Sequence, residues 1–216
     1  LVDLHTHGIH GYSSECLEVQ QLRVMALAYA QSGITSFAPT LRAKPLQDYI
    51  PYLEAYRKAY GDDYKGARYV GAHLEGPYLN PEQAGNMDAS LFQKINIQEL
   101  DQFLNQYHKD IAVMTIAPEL ENASEAIYLL HLYGIEVSLG HTNATYEQCQ
   151  AAFMEGASQI THLCNSMPLL DHHERNMMDA IFLSDCICTI IFDHAHISDE
   201  MLKWLLPLLG SKRVIA

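Results

Sequence analysis

Two histidines two residues apart, His5 and His7, close the apolar run LVDLHTH at the start of the chain. On a strand, residues at i and i+2 project from one face, so both imidazoles would point the same way. Burying two unpartnered imidazoles is costly, and either a metal ion or a hydrogen-bonded pair in a polar core removes that cost. Comparable residues recur at the ends of later apolar runs. Glu75 ends ARYVGAHLE, His141 ends IEVSLGH, His162 falls in SQITHL, Asp193 ends ICTIIFD and His196 follows it. Four imidazoles and a carboxylate suit a divalent cation, zinc foremost, with iron, cobalt or manganese as alternatives. That set exceeds what a typical catalytic zinc takes from protein. It fits two ions bridged by Glu75, or one ion with the surplus histidines as supporting partners.

For residues so far apart to meet, the elements carrying them must converge. Apolar or β-branched runs occur at 1–5, 34–40, 67–75, 111–119, 135–141, 158–163, 187–193 and 213–216, with amphipathic helical stretches between them. CLEVQQLRVMALAYAQSG closes on Gly33, NASEAIYLLHLYG on Gly134 and TYEQCQAAFMEG on Gly156. SDEMLKWLLPLLG starts on a Ser198 cap, and Pro207 is expected to kink or end that helix. Continuous strand–helix alternation predicts a parallel sheet, and no Gly-rich phosphate loop follows the first strand. The expected fold is α/β, a (β/α)8 TIM barrel forming one domain over residues 1–216. In such a barrel the C-terminal ends of the strands share one face, which brings the histidines and Glu75 together.

Composition limits the partners. The chain has 216 residues, 49% hydrophobic and 18% charged, which are the proportions of a folded protein. A net charge of −13 argues against nucleic acid or an anionic membrane surface as partner. The five cysteines have no regular spacing, and Cys186 and Cys188 are expected as buried thiols in a reduced cytoplasm. No apolar run is long enough to span a bilayer, and the glycosylation triplets at Asn122 and Asn143 read as chance matches. A soluble cytoplasmic protein is expected. Both ends fall inside strand-like runs, as expected of part of a longer chain. Tyr12, Tyr49, Tyr52, Tyr56 and Tyr60 are expected at helix surfaces and the core edge.

The motifs VDLHTHG, HLEGPYLNP, LGHTNA and THLCNSM together resemble the N-acetylglucosamine-6-phosphate deacetylases of the amidohydrolase superfamily. The resemblance implies a metal-dependent amidohydrolase barrel whose small β-domain comes from flanking segments absent here, truncated at strand eight. It implies metal binding by Glu75, His141 and His162, which carry the catalysis, and a second ion at His5 and His7. The general base would be an aspartate just after Ala216, so the chain as given is expected to be inactive. The implied reaction converts N-acetylglucosamine 6-phosphate to glucosamine 6-phosphate and acetate, in amino-sugar catabolism. His196 would hydrogen-bond near the substrate carbonyl, and Asn165 and the Ser166 backbone would meet the phosphate. A homodimer is implied, with loops completing a neighbour's site. His194 reads as a solvated loop residue, and Asp193 as a shaper of its turn.

Three departures from the family pattern touch substrate recognition. Met87 stands where a histidine is usual, His173 falls on the position of a phosphate-binding arginine, and DHAHI replaces Asp-Gly-x-His. Arg175 is displaced by two positions but could reach the phosphate from a rearranged loop. An unphosphorylated or different N-acetyl amino sugar is therefore a second expectation, and a non-catalytic metal- or sugar-binding barrel a third.

Overall fold

The structure is a computed structural model and describes residues 1–61 and 63–215. The chain opens with β1 (Val2–Thr6), then a small antiparallel hairpin of β2 (Gly8–Ile9) and β3 (Tyr12–Ser13). It continues with α1 (Val19–Gln31), β4 (Ser36–Arg42), α2 (Leu46–Tyr60), β5 (Arg68–Tyr69), β6 (Ala72–Glu75) and α3 (Ile97–Tyr107). Next come β7 (Ile111–Ile116), α4 (Ala123–Leu132), β8 (Glu136–Leu139), α5 (Tyr146–Met154) and β9 (Ala157–Ile160). The last elements are α6 (Met177–Phe182), β10 (Ile187–Thr189), α7 (Asp199–Leu209) and β11 (Val214–Ile215).

The strands pair in the order β1-β4-β6-β7-β8-β9-β10-β11, every pair parallel, with β5 beside β4. Chain order equals spatial order, as repeated right-handed strand–helix units dictate, and the strands are in the order of a (β/α)8 barrel.

Local chemistry explains the elements. Asn96 caps α3 by accepting from the N–H groups of Gln98 and Glu99, and Leu100, Phe103, Leu104 and Tyr107 give the helix one buried face. Thr145 and Gln148 form a capping box on α5, and the Ser198 hydroxyl accepts from Met201 N–H at 3.2 Å on α7. Pro207 does not end α7, which runs on to Leu209 and closes at Gly210. The run 67–75 is two strands, because Gly71 (φ +118°) breaks it where an added Cβ would lie 2.7 Å from the Ala112 nitrogen. The β2–β3 hairpin was not legible in the sequence. Of the last run, Ala216 lies outside the described residues.

The tyrosines require a correction. Tyr49 and Tyr56 are fully buried, and Tyr60 nearly so; only Tyr12 and Tyr52 lie at the core edge. The physical reason is that Tyr56 and Tyr60 find acceptors inside, donating to Ser14 O at 2.6 Å and Leu22 O at 2.8 Å. Their rings pack with Phe37 and Tyr69 into one aromatic cluster. Cys186 and Cys188 are buried free thiols, as expected.

A polar layer crosses the sheet beneath its C-terminal end. Thr40 Oγ1 lies 3.2 Å from His73 Nδ1, and His73 Nε2 lies 2.7 Å from Thr115 Oγ1. Thr115 and Thr161 hydroxyls are 2.8 Å apart, and Thr161 and Ser138 hydroxyls 2.6 Å apart. All five side chains are buried, and the His5 ring meets His73 edge-on at 4.6 Å.

Candidate metal centre

Glu75, the last residue of β6, is the hub. Its Oε1 lies 3.3 Å from His5 Nε2 and 3.2 Å from both His141 Nε2 and His162 Nε2. Its Oε2 lies 3.3 Å from His7 Nε2. Two donor groups therefore share one carboxylate: His5, His7 and Glu75, and Glu75, His141 and His162. The second group is fully buried, whereas His5 and His7 remain partly open. His5 lies on β1 and His7 one residue past its end, their Nε2 atoms 3.3 Å apart, and the short segments after β8 and β9 turn His141 and His162 inward. Both histidines have positive φ (49° and 32°), conformations that side-chain-bearing residues adopt only when their surroundings impose them.

The donor chemistry fits a cation. His141 Nδ1 is 2.7 Å from the Gln83 carbonyl, which can only accept, so Nδ1 carries the proton and Nε2, in the neutral ring that a metal requires, presents its lone pair toward Glu75. His162 Nε2 lies 3.0 Å from His141 Nε2, and His162 Nδ1 is buried without a partner among the described residues. Lone pairs and carboxylate oxygens thus face one another at close range, an arrangement that a divalent ion between them would satisfy. Burial alone would push the Glu75 carboxyl up, yet the charge of His5 and the hydrogen bonds that His141, His162 and His5 donate when protonated at Nε2 outweigh it and hold it well below the usual carboxylate range. Burial lowers the His162 imidazole, against the opposing pull of Glu75, and lowers buried His73 far below the ordinary range.

A cavity of about 610 Å³ opens over this cluster. Asn165, Ser166, His196 and Met87 line it, as do His5, His7, Glu75, His141 and His162. Gly85 (φ +62°) keeps it open, because a Cβ there would come within 2.9 Å of Ser166 Oγ. The Asn165 amide donates to the carbonyls of His162 and Leu163 at 3.2 and 3.3 Å. Asp193 accepts from the N–H groups of Ala195 and His196, both at 2.9 Å, and its Oδ2 lies 2.6 Å from His196 Nδ1. Those backbone donors, with the imidazole, bring its carboxyl down to about 2. His194 is exposed and pairs with Asp199.

His173 and Arg175 are not on the cavity wall. His173 is exposed, with its ring 3.8 Å from that of His172, and the Arg175 guanidinium packs 5.2 Å from the Tyr146 ring centre. The cavity is lined instead by Arg42, at the end of β4, whose Nη1 lies 3.6 Å from Glu15. Glu15 is shared with Lys44 at 2.8 Å. Sequence reasoning missed Arg42, Asp3 and Glu119. The first two stand at a strand end and beside His5, and Glu119 closes the run IAVMTIAPE much as Glu75 closes ARYVGAHLE.

With this geometry in hand, comparison with known proteins is informative. Residues 1–215 match the model of the amidohydrolase family. The chain is 32% identical to an N-acetylglucosamine-6-phosphate deacetylase of Vibrio furnissii over 198 residues, covering 91% of this chain and 50% of that protein. It is 34% identical to an N-acetylgalactosamine-6-phosphate deacetylase of Escherichia coli O157:H7, covering 83% of this chain and 48% of the relative. The crystal structure of N-acetylglucosamine-6-phosphate deacetylase from Pasteurella multocida superposes with a TM-score of 0.87 at 30% identity, over 99% of this chain and 55% of that one. The chain spans about half the length of the curated relatives it matches. Motif, barrel order and the shared Glu75 converge on one conclusion: the chain belongs to the amidohydrolase family.

Proposed function

We propose that the protein containing this chain is a metal-dependent deacetylase that hydrolyses the acetamide of N-acetylglucosamine 6-phosphate to glucosamine 6-phosphate and acetate. One observation carries the reading: two donor groups joined by Glu75 form the floor of a cavity large enough for a sugar. The amidohydrolase family is metal-dependent, and relatives of this chain are named for deacetylation of amino-sugar 6-phosphates. Zinc is the proposed ion, held by Glu75, His141 and His162, with His5 and His7 taking a second. A bound divalent ion supplies Lewis acidity and acidifies water near neutral pH.

The chain's own residues do the rest. Asp193 accepts from His196 Nδ1, so Nε2 donates to the substrate carbonyl when the ring carries both of its protons. Ser166 and Asn165 border the sugar, and Met87 offers an apolar surface to it. The proposed protein is cytoplasmic and homodimeric, with a small-molecule substrate and neither nucleic acid nor membrane as partner.

Placement of His173 and Arg175 outside the cavity favours a second reading, a deacetylase of unphosphorylated amino sugars. The test is kcat/KM of the full-length, zinc-loaded protein on N-acetylglucosamine 6-phosphate, its galacto epimer and N-acetylglucosamine. A strong preference for the gluco 6-phosphate sustains the first reading, preference for the free sugar sustains the second, and no turnover of any of them overturns both. Arg42 is the cavity's guanidinium, so Arg42→Met is expected to raise KM about tenfold for the phosphorylated sugar alone, the worth of one charge-assisted hydrogen bond.

A further inference from the structure

We propose that Glu119 is a positioning residue that holds His141 in its ligand orientation, an assignment that rests on the reading of Glu75, His141 and His162 as metal ligands. Glu119 follows the end of β7 and belongs to neither donor group. Its carboxylate instead collects donors from the two neighbouring loops. Oε1 accepts from Asn80 Nδ2 at 2.8 Å and from the Asn143 backbone N–H at 2.6 Å. Oε2 accepts from the Thr142 hydroxyl, which itself accepts from Ala144 N–H at 2.9 Å.

These contacts bracket His141. Asn80 N–H donates to the His141 carbonyl at 2.9 Å, and the His141 ring donates to Gln83 O at 2.7 Å. The amide of Gln83 donates to Asn143, and Asn143 Nδ2 donates to Glu82 at 2.9 Å. The loop after β6 thus supplies the carbonyl that fixes the His141 tautomer, and Glu119 ties that loop to the residues immediately after His141. His141 needs such a tie, because its φ of 49° is a conformation that relaxes when its surroundings allow. Removing the carboxylate leaves the Asn143 N–H, the Asn80 amide and the Thr142 hydroxyl without their acceptor.

The test is zinc affinity of the full-length protein, by competition with a chelator, for wild type, Glu119→Gln and Glu119→Ala. Far-UV circular dichroism and melting of the metal-free protein are recorded alongside. Glu119→Ala is expected to weaken zinc binding by about 10–100-fold, the effect typical of losing a partner that orients a ligand. Glu119→Gln, which keeps one carbonyl oxygen, should fall between it and wild type. With zinc saturating, kcat should drop in the variants while KM holds, which a general loosening of the fold would not produce. Zinc affinity equal to wild type in Glu119→Gln and in folded Glu119→Ala overturns the proposal. Should Glu119→Ala fail to fold, Glu119→Gln decides alone. His141→Ala serves as the control: if it too leaves zinc affinity unchanged, the ligand reading has failed rather than the role of Glu119.

Discussion

Replacing Glu75 with glutamine is expected to strip metal from both donor groups at once. Its two carboxylate oxygens face four histidine nitrogens at 3.2–3.3 Å, divided between the groups. The substitution keeps the shape and one carbonyl oxygen but removes the negative charge that offsets a divalent cation in a buried setting. The loss of affinity should exceed the ~10–100-fold that removal of a supporting partner costs. Metal content by plasma mass spectrometry, with calorimetric titration of zinc, reads the effect directly. His7→Ala makes the contrast, since it touches only the more open group and should leave the ion at Glu75, His141 and His162 in place. Equal losses in the two variants would show that the groups do not act separately.

Acid should both release metal and weaken the fold, with the same sign. The Glu75 carboxyl is held low in the folded state, so its stabilising contribution is present above the usual carboxylate range and is lost as pH falls through its folded value. His73 and His162 are held below the ordinary imidazole value of about 6.5, so unfolding takes up protons below that pH. Stability of the metal-free protein should therefore be level above about pH 6.5 and decline steadily beneath it. Thermal melts in steps from pH 8 to 5 give the profile. His73→Asn should flatten the upper part of the decline, because the asparagine cannot titrate. Zinc affinity should fall over the same interval, since a ligating imidazole must be neutral. A profile unchanged down to pH 5 would contradict the burial of neutral His73.

Much of this architecture is legible in the sequence. Strand–helix alternation gave the parallel sheet because each run is short, apolar and bounded by turn residues, and parallel strands buried on both faces leave that trace. The meeting of His5, His7, Glu75, His141 and His162 was legible because they stand at or just past strand ends, so the fold carried the cluster with it. Contacts between loops were not. Arg42 and Glu119 also stand at strand or run ends, but only the approach of β6, β7 and β8 reveals what Glu119 holds. Tyrosines misled for a related reason: sequence shows a hydroxyl but not the carbonyls of Ser14 and Leu22 that make its burial cheap. His173 and Arg175 illustrate the reverse limit. Alignment position suggested phosphate contacts, while the loop carrying them leaves both side chains off the cavity wall.

The string Thr40–His73–Thr115–Thr161–Ser138 has a consequence of its own. Each hydroxyl in it owns a single proton, and neutral His73 offers one N–H and one lone pair. Whichever ring nitrogen holds the proton sets the sense in which the hydroxyls beyond it point, so the string has a head and a tail. Its two senses interconvert only when the rotors and the ring proton change together. The imidazole ¹⁵N shifts of His73 would report which sense prevails. Because His5 rests edge-on against that ring, the same shifts recorded with and without zinc would show whether an ion at His5 favours one sense over the other.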